Sequence, residues 1–212
     1  MNEREIMKGL EKAAMDLLAA KGYTRQALLE QYGGVMMIAR SYFELTDSEK
    51  AITRIDVCAR EGVFGVVCFD FELFSGEERA GSAVQYWALV SEKDRKALRF
   101  KPELPYKKRE GGIKLTKLRL SEDMLSIGSA TVTEELADKN GHLNNAEYLP
   151  LALNAWRRRS FAPPVRELWI NYEKEAPLGA AFEMYAKTEE NSAFIKGVFP
   201  DGTTCFSLKI NF

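Results

Sequence analysis

The residues best equipped for chemistry form one run in the second half of the chain, Asp138-Lys139-Asn140-Gly141-His142-Leu143-Asn144-Asn145. It carries the only histidine among 212 residues. Asp138, Asn140, His142 and Asn144 recur at every second position, and in an extended stretch that spacing puts all four side chains on one face. A carboxylate, an amide and an imidazole meeting there can hold and activate a water molecule. Imidazole titrates near neutral pH, so it can take up or release a proton. The carboxylate can orient the ring or act as the base itself, and asparagine can donate to a developing oxyanion or position the water. A helix is expected directly after the run, and the free amides at its start favour negative charge. The same residues also make an ordinary polar turn, in which Asn144 or Asn145 serves as a helix N-cap. One further carboxylate, Glu175, sits in a later strand–loop segment, Asn171-Tyr172-Glu173-Lys174-Glu175-Ala176.

The elements around these residues follow from periodicity. Residues 3–32 read as helix: Leu10, Ala13, Ala14, Leu17 and Leu18 recur at helical spacing, Gly22 stops the run, and a short second helix is predicted over 24–31. Strand signals follow at 35–45, 51–59, 65–74 and 81–90. Residues 91–114 break this rhythm with many lysines and arginines, two prolines and Gly111-Gly112, which predicts a linker running over the surface. The pattern restarts with apolar–polar alternation at 115–120, a strand at 124–133, and a helix over 145–158 with Leu149, Ala152, Leu153 and Trp156 on one face. Strands at 165–173, 181–188, 194–200 and 203–212 complete the chain, the last two joined by the hairpin signal Asp201-Gly202. Helix then strands, a linker, and the same order again predict two α+β units, each an antiparallel sheet packed around one helix. The first unit starts almost directly at its helix, so its N-terminal strand is expected to be missing.

Composition narrows the function classes. Hydrophobic residues make up 46% of the chain, enough for a sizeable core. Thirty basic against 31 acidic residues leave a net charge of -1, which gives no support for nucleic-acid binding. Cys58, Cys68 and Cys205 are widely spaced, fitting neither a disulfide framework nor a zinc site; they are expected as small residues in strands. The charged start at residues 1–8 lacks the apolar run of a signal peptide, and no apolar stretch is long enough to span a bilayer. A cytoplasmic protein is expected.

At the level of motif the chain resembles the acyl-ACP thioesterases of plants and bacteria. Their hallmark, Asp-x-Asn-x-His-Val-Asn-Asn followed by a short spacer and tyrosine, stands here as residues 138–145 and Tyr148, with Leu143 in place of valine. A Tyr-x-x-Glu-Cys-type segment is matched by Tyr172-Glu173-Lys174-Glu175-Ala176. Asp70-Phe71-Glu72, leading through Ala83 and Trp87 to Arg95, is similar to an Arg-Asp-Phe and tryptophan stretch of the family's first half, with Phe69 where arginine is usual.

The resemblance implies a tandem hotdog fold, with one unit over 1–91, a linker over 92–113 and a catalytic unit over 114–212. It implies hydrolysis of a fatty acyl chain from acyl carrier protein, with no metal or other cofactor, by a monomer or homodimer. Carried over residue by residue, Asp138, Asn140, His142 and Glu175 form the catalytic set, and Asn144, Asn145 and Trp87 contact substrate. Ala176 stands where plant members have a cysteine, which implies direct attack by water. The acyl chain is expected between sheet and helix of the first unit, near Met15, Met36, Met37 and Trp87. The acidic carrier protein needs a basic patch. Arg157 and Arg158, with Arg159, form one candidate; Lys107 and Lys108, with Arg109, form the other. An acyl-CoA thioesterase of the same fold and a catalytically silent acyl- or carrier-binding protein fit the same residues. A hotdog dehydratase fits less well, because its histidine lies in a different pattern.

Overall fold

The computed structural model describes residues 2–60, 65–106, 113–158 and 164–212. Its first element is helix α1 (Glu3–Ala19), opened by a capping box in which the Asn2 side chain and Glu5 satisfy each other's backbone amides. Ile6, Met7, Leu10, Ala14 and Leu18 form its buried stripe. Thr24 caps the short α2 (Arg25–Tyr32), and Gly33, at φ 65°, ends it in the left-handed conformation.

Among the described residues nine strands form one antiparallel sheet. They are β1 (Gly34–Leu45), β2 (Arg54–Arg60), β3 (Val66–Ser75), β4 (Glu78–Ser91), β5 (Leu125–Thr131), β6 (Glu167–Tyr172), β7 (Ala181–Glu189), β8 (Ser192–Val198) and β9 (Thr204–Asn211). Their order is β2-β3-β4-β1-β6-β9-β8-β7-β5. Read outward from the centre, β1-β4-β3-β2 repeats as β6-β9-β8-β7, and β5 adds a fifth strand at one edge only. No strand precedes α1 among the described residues. The two halves join where β1 pairs with β6, from Arg40↔Asn171 to Glu44↔Glu167. Helix α3 (Tyr148–Arg157) packs on β5 and β7, α1 packs on β2, and the two helices touch. An antiparallel sheet curled over helices in this way is a hotdog fold.

The inner face of the sheet carries the core. Ser41, Phe43, Phe69, Phe71, Ala83, Gln85, Trp87, Ile170 and Leu208 are all almost wholly buried. Cys68 and Cys205 are buried in strands and Cys58 is half-buried in β2.

Three elements differ from the sequence reading. Residues 115–120 form no strand; they lie across the outer face, with Leu115 packed on Tyr42 and Val84. Side chains engage the Leu115 backbone: its N–H donates to the Tyr86 hydroxyl at 3.2 Å, and its carbonyl accepts from Arg40 at 2.6 Å. The linker is anchored as well as exposed, because Phe100 is buried edge-on against Tyr23 and Tyr32. Helix α3 begins at Tyr148, three residues later than expected. Pro150 has no N–H to reach back to Ala146, so the ladder opens with Leu151 N–H to the Glu147 carbonyl at 3.1 Å.

Candidate active site

The 138–145 segment is a compact turn, the second of the two geometries its residues allow. The Asp138 N–H donates to the His142 carbonyl at 2.7 Å, and Gly141, at φ 76°, lets the chain reverse. The Asp138 carboxylate lies inside this turn. One oxygen accepts from the N–H groups of Asn140 at 2.8 Å and His142 at 3.1 Å, and the other accepts from Asn140 Nδ2 at 3.0 Å. Asp138 therefore organises the Asn140 amide and the His142 backbone. The bonds that make the turn also hold the Asn140 side-chain amide.

Glu175 arrives from a distant part of the chain. After β6, residues 173–178 run beside the turn. Leu143 N–H donates to the Ala176 carbonyl and Leu178 N–H to the Gly141 carbonyl, both at 2.8 Å. This pairing brings Glu175 Oε1 to 3.8 Å from His142 Nδ1, with both side chains about 30% exposed. That separation exceeds a hydrogen bond.

Asn144 and Asn145 act through local backbone. Asn144 Oδ1 accepts from Ala146 N–H at 2.9 Å, starting the short turn that leads into α3. The Asn145 carbonyl accepts from the Tyr172 hydroxyl at 3.1 Å. Burial pushes the Tyr172 phenol above its ordinary range, so it remains a neutral donor. Tyr148 packs edge-on against Tyr172 at 5.3 Å and is pushed the same way by burial. Glu147, at the mouth of α3, is buried and held by Arg4 at 2.8–2.9 Å, with Lys8 at 3.8 Å.

Other expected residues lie elsewhere. Trp87 is 2% exposed in the core, donating from Nε1 to Gln85 at 3.0 Å and stacked edge-on with Phe69. Arg157 pairs with Glu3 at 3.1 Å, and Arg158 follows at the end of α3 farther from the 138–145 turn. Lys107, Lys108, Arg109 and Arg159 lie outside the described residues.

Three charged side chains near the site were not assigned to it from the sequence. Arg25, on α2, donates to Asn140 Oδ1 at 3.0 Å. Arg95, from the turn after β4, forms an ion pair with Glu175. Glu11, on α1, is raised above its ordinary 4.5 by burial and then by the Asp138 carboxylate. Each comes from the first half of the chain; Arg95 ends the tryptophan stretch of the family resemblance, but nothing local ties it or the other two to the 138–145 run. Only the tertiary fold supplies the signal.

No family model and no curated protein matches this sequence. Solved structures do match its fold. An acyl-ACP thioesterase from Bacteroides thetaiotaomicron superposes with a TM-score of 0.83 at 15% identity, covering 99% of this chain and 88% of that one. The 12:0-ACP thioesterase from Umbellularia californica gives 0.77 at 12% identity, covering 100% and 89%. A MaoC-like dehydratase from Phytophthora capsici gives 0.57 at 7% identity, covering 84% and 71%. The resemblance read from the motif is thus met by structural likeness to acyl-ACP thioesterases. The fold alone also accommodates dehydratases, so the reaction must be argued from the site.

Proposed function

We propose that this protein hydrolyses acyl thioesters, and that its substrate is a fatty acyl chain carried by acyl carrier protein. The observation that carries this reading is the approach of Glu175 Oε1 to His142 Nδ1 at 3.8 Å, beside an asparagine aligned by Asp138. A carboxylate–imidazole pair suits deprotonation of water near neutral pH. The water adds to the thioester carbonyl as its proton passes to the Glu175–His142 pair. An amide nitrogen carries two N–H bonds. One on Asn140 goes to Asp138, and the second is the donor assigned to the oxyanion. Collapse of the tetrahedral intermediate expels the carrier thiolate, which recovers the proton, and releases the fatty acid.

The side chain at 176 supports direct attack by water. Ala176 is fully buried and offers no nucleophile. Cys205 donates to the Lys174 carbonyl at 3.5 Å, and burial pushes its thiol up to about 12, so it stays protonated and unreactive.

The same reading takes the chain as a tandem hotdog, with units at 1–91 and 114–212 joined by 92–113. The repeated strand order on either side of the β1–β6 junction supports it. The acyl chain would enter between sheet and helix of the first unit, toward Met15, Met36 and Trp87, which face that core; Met37 pairs with Ala88 and faces the other way. Arg157 and Arg158, with Lys107 and Lys108, would meet the acidic carrier.

The test is a panel of short, medium and long acyl chains, each on carrier protein and on CoA. It is run with the wild type, His142→Ala and Glu175→Ala. The wild type is expected to release free fatty acid fastest from carrier protein. Either alanine should lower kcat by about 10²–10⁴-fold, the usual contribution of a positioned acid–base group. Faster release from CoA would reassign the carrier. Binding of acyl chains without turnover, unchanged in His142→Ala, would make the protein a silent acyl binder.

A further inference from the structure

Arg95 is the lone non-glycine at positive φ among the described residues, at 56°. It lies in the turn that follows β4. Arg95 N–H donates to the Ser91 carbonyl at 3.1 Å, and Ser91 N–H donates to the Lys96 carbonyl at 2.8 Å. Such a position suits glycine or asparagine, and an arginine there holds a strained backbone. Strain of this kind persists where surrounding contacts impose it, and it concentrates at functional sites.

The contact here is specific. The Arg95 guanidinium pairs with Glu175 Oε1, the same oxygen that faces His142. Its Nη2 also lies 3.2 Å from Met37 Sδ on β1. The same turn supports a second arginine. Arg25 sits 3.6 Å from Glu92 in that turn and reaches Asn140 Oδ1 at 3.0 Å. Two arginines associated with one turn in the first half therefore hold two side chains of the site in the second half.

Taking Glu175 and His142 as the reacting pair proposed above, we infer that Arg95 is a positioning residue for hydrolysis, fixing the Glu175 carboxylate against His142 from across the sheet junction. A bidentate-capable guanidinium fixes orientation in a way that an exposed ion pair does not add to stability. The two contributions can therefore be separated by experiment.

Arg95→Asn suits the left-handed backbone but removes the guanidinium. Its melting temperature should equal or exceed that of the wild type. Its kcat on a small soluble acyl thioester should fall by about 100-fold, the scale of a misplaced catalytic group, with KM little changed. Arg95→Lys, which retains the charge, should recover part of kcat. Wild-type kcat in Arg95→Asn would overturn the inference. So would a joint loss of kcat and melting temperature without recovery by lysine. His142 is the only histidine, so its ring ¹⁵N signals report on this site without assignment ambiguity. They should move in Arg95→Asn as they do in Glu175→Gln, and unmoved signals would sink the inference. If the wild type hydrolyses nothing in the panel, the proposed function fails, and the ring signals still decide whether Arg95 holds Glu175 on His142.

Discussion

Asp138 shows how one residue serves both fold and site. Its carboxylate accepts three hydrogen bonds within the turn and thereby orients the Asn140 amide and the His142 backbone. Glu11 is half-buried on α1, where burial and then the Asp138 charge raise it and Lys8 and Lys139 do not cancel the rise. A carboxyl held above its ordinary 4.5 binds its proton more tightly in the folded chain than in the unfolded one. Folding stability therefore falls as pH rises through that value and on toward the raised folded one. Glu11→Gln removes the ionisation. It should melt higher than the wild type near neutral pH, and the gap should close as pH falls below 4.5 in parallel thermal melts.

At the scale of elements, the site depends on how α3 is seated. Tyr148, the first residue of α3, packs edge-on against Phe206 at 5.4 Å as well as against Tyr172. Phe206 in turn meets Phe182 at 5.9 Å. Gly197 on β8 leaves room for this cluster: a Cβ there would run into the Phe206 ring and come within 3.1 Å of Phe182. Both aromatics are fully buried and have little freedom to retreat. Gly197→Ala is expected to lower folding stability by about 1–3 kcal/mol in denaturant unfolding. Displacement of Phe206 would pass to Tyr148 and Tyr172, and so to the Asn145 carbonyl, which should lower turnover as well.

At the scale of the molecule, one continuous sheet joins the two halves through β1 and β6, and residues from both meet beside His142. Charge is distributed on the same scale. Arg157 is partly neutralised by Glu3, whereas Arg158 is exposed at the end of α3. If this end meets an acidic carrier, Arg158→Glu should raise KM for acyl-carrier substrates several-fold. The effect should shrink as salt is added, and a small soluble thioester should turn over as before. An unchanged KM for the carrier substrate would move the docking surface elsewhere.

Much of this molecule is legible in its sequence. The stripe on α1, the alternation along β6–β9 and the order of helices and strands are local patterns, and local patterns point to secondary structure and to antiparallel sheet packed on helices; the hotdog class comes from the family resemblance. The run at 138–145 reads locally as a turn or as a candidate site, and the family resemblance is what singles it out as the candidate. Where the reading missed, the cause was non-local. Residues 115–120 alternate like a strand, but Tyr86 and Arg40 claim the Leu115 backbone. The spacing of Asp138, Asn140 and His142 suggested a shared face in an extended chain, whereas a turn closed by the Asp138–His142 backbone bond aims them. Arg25 and Glu11 carry no mark along the chain, and Arg95 is marked only as the end of the tryptophan stretch, not as a neighbour of the histidine. They join the site because β1 pairs with β6, and that long-range pairing, set only when the sheet assembles, decides which side chains surround the one histidine.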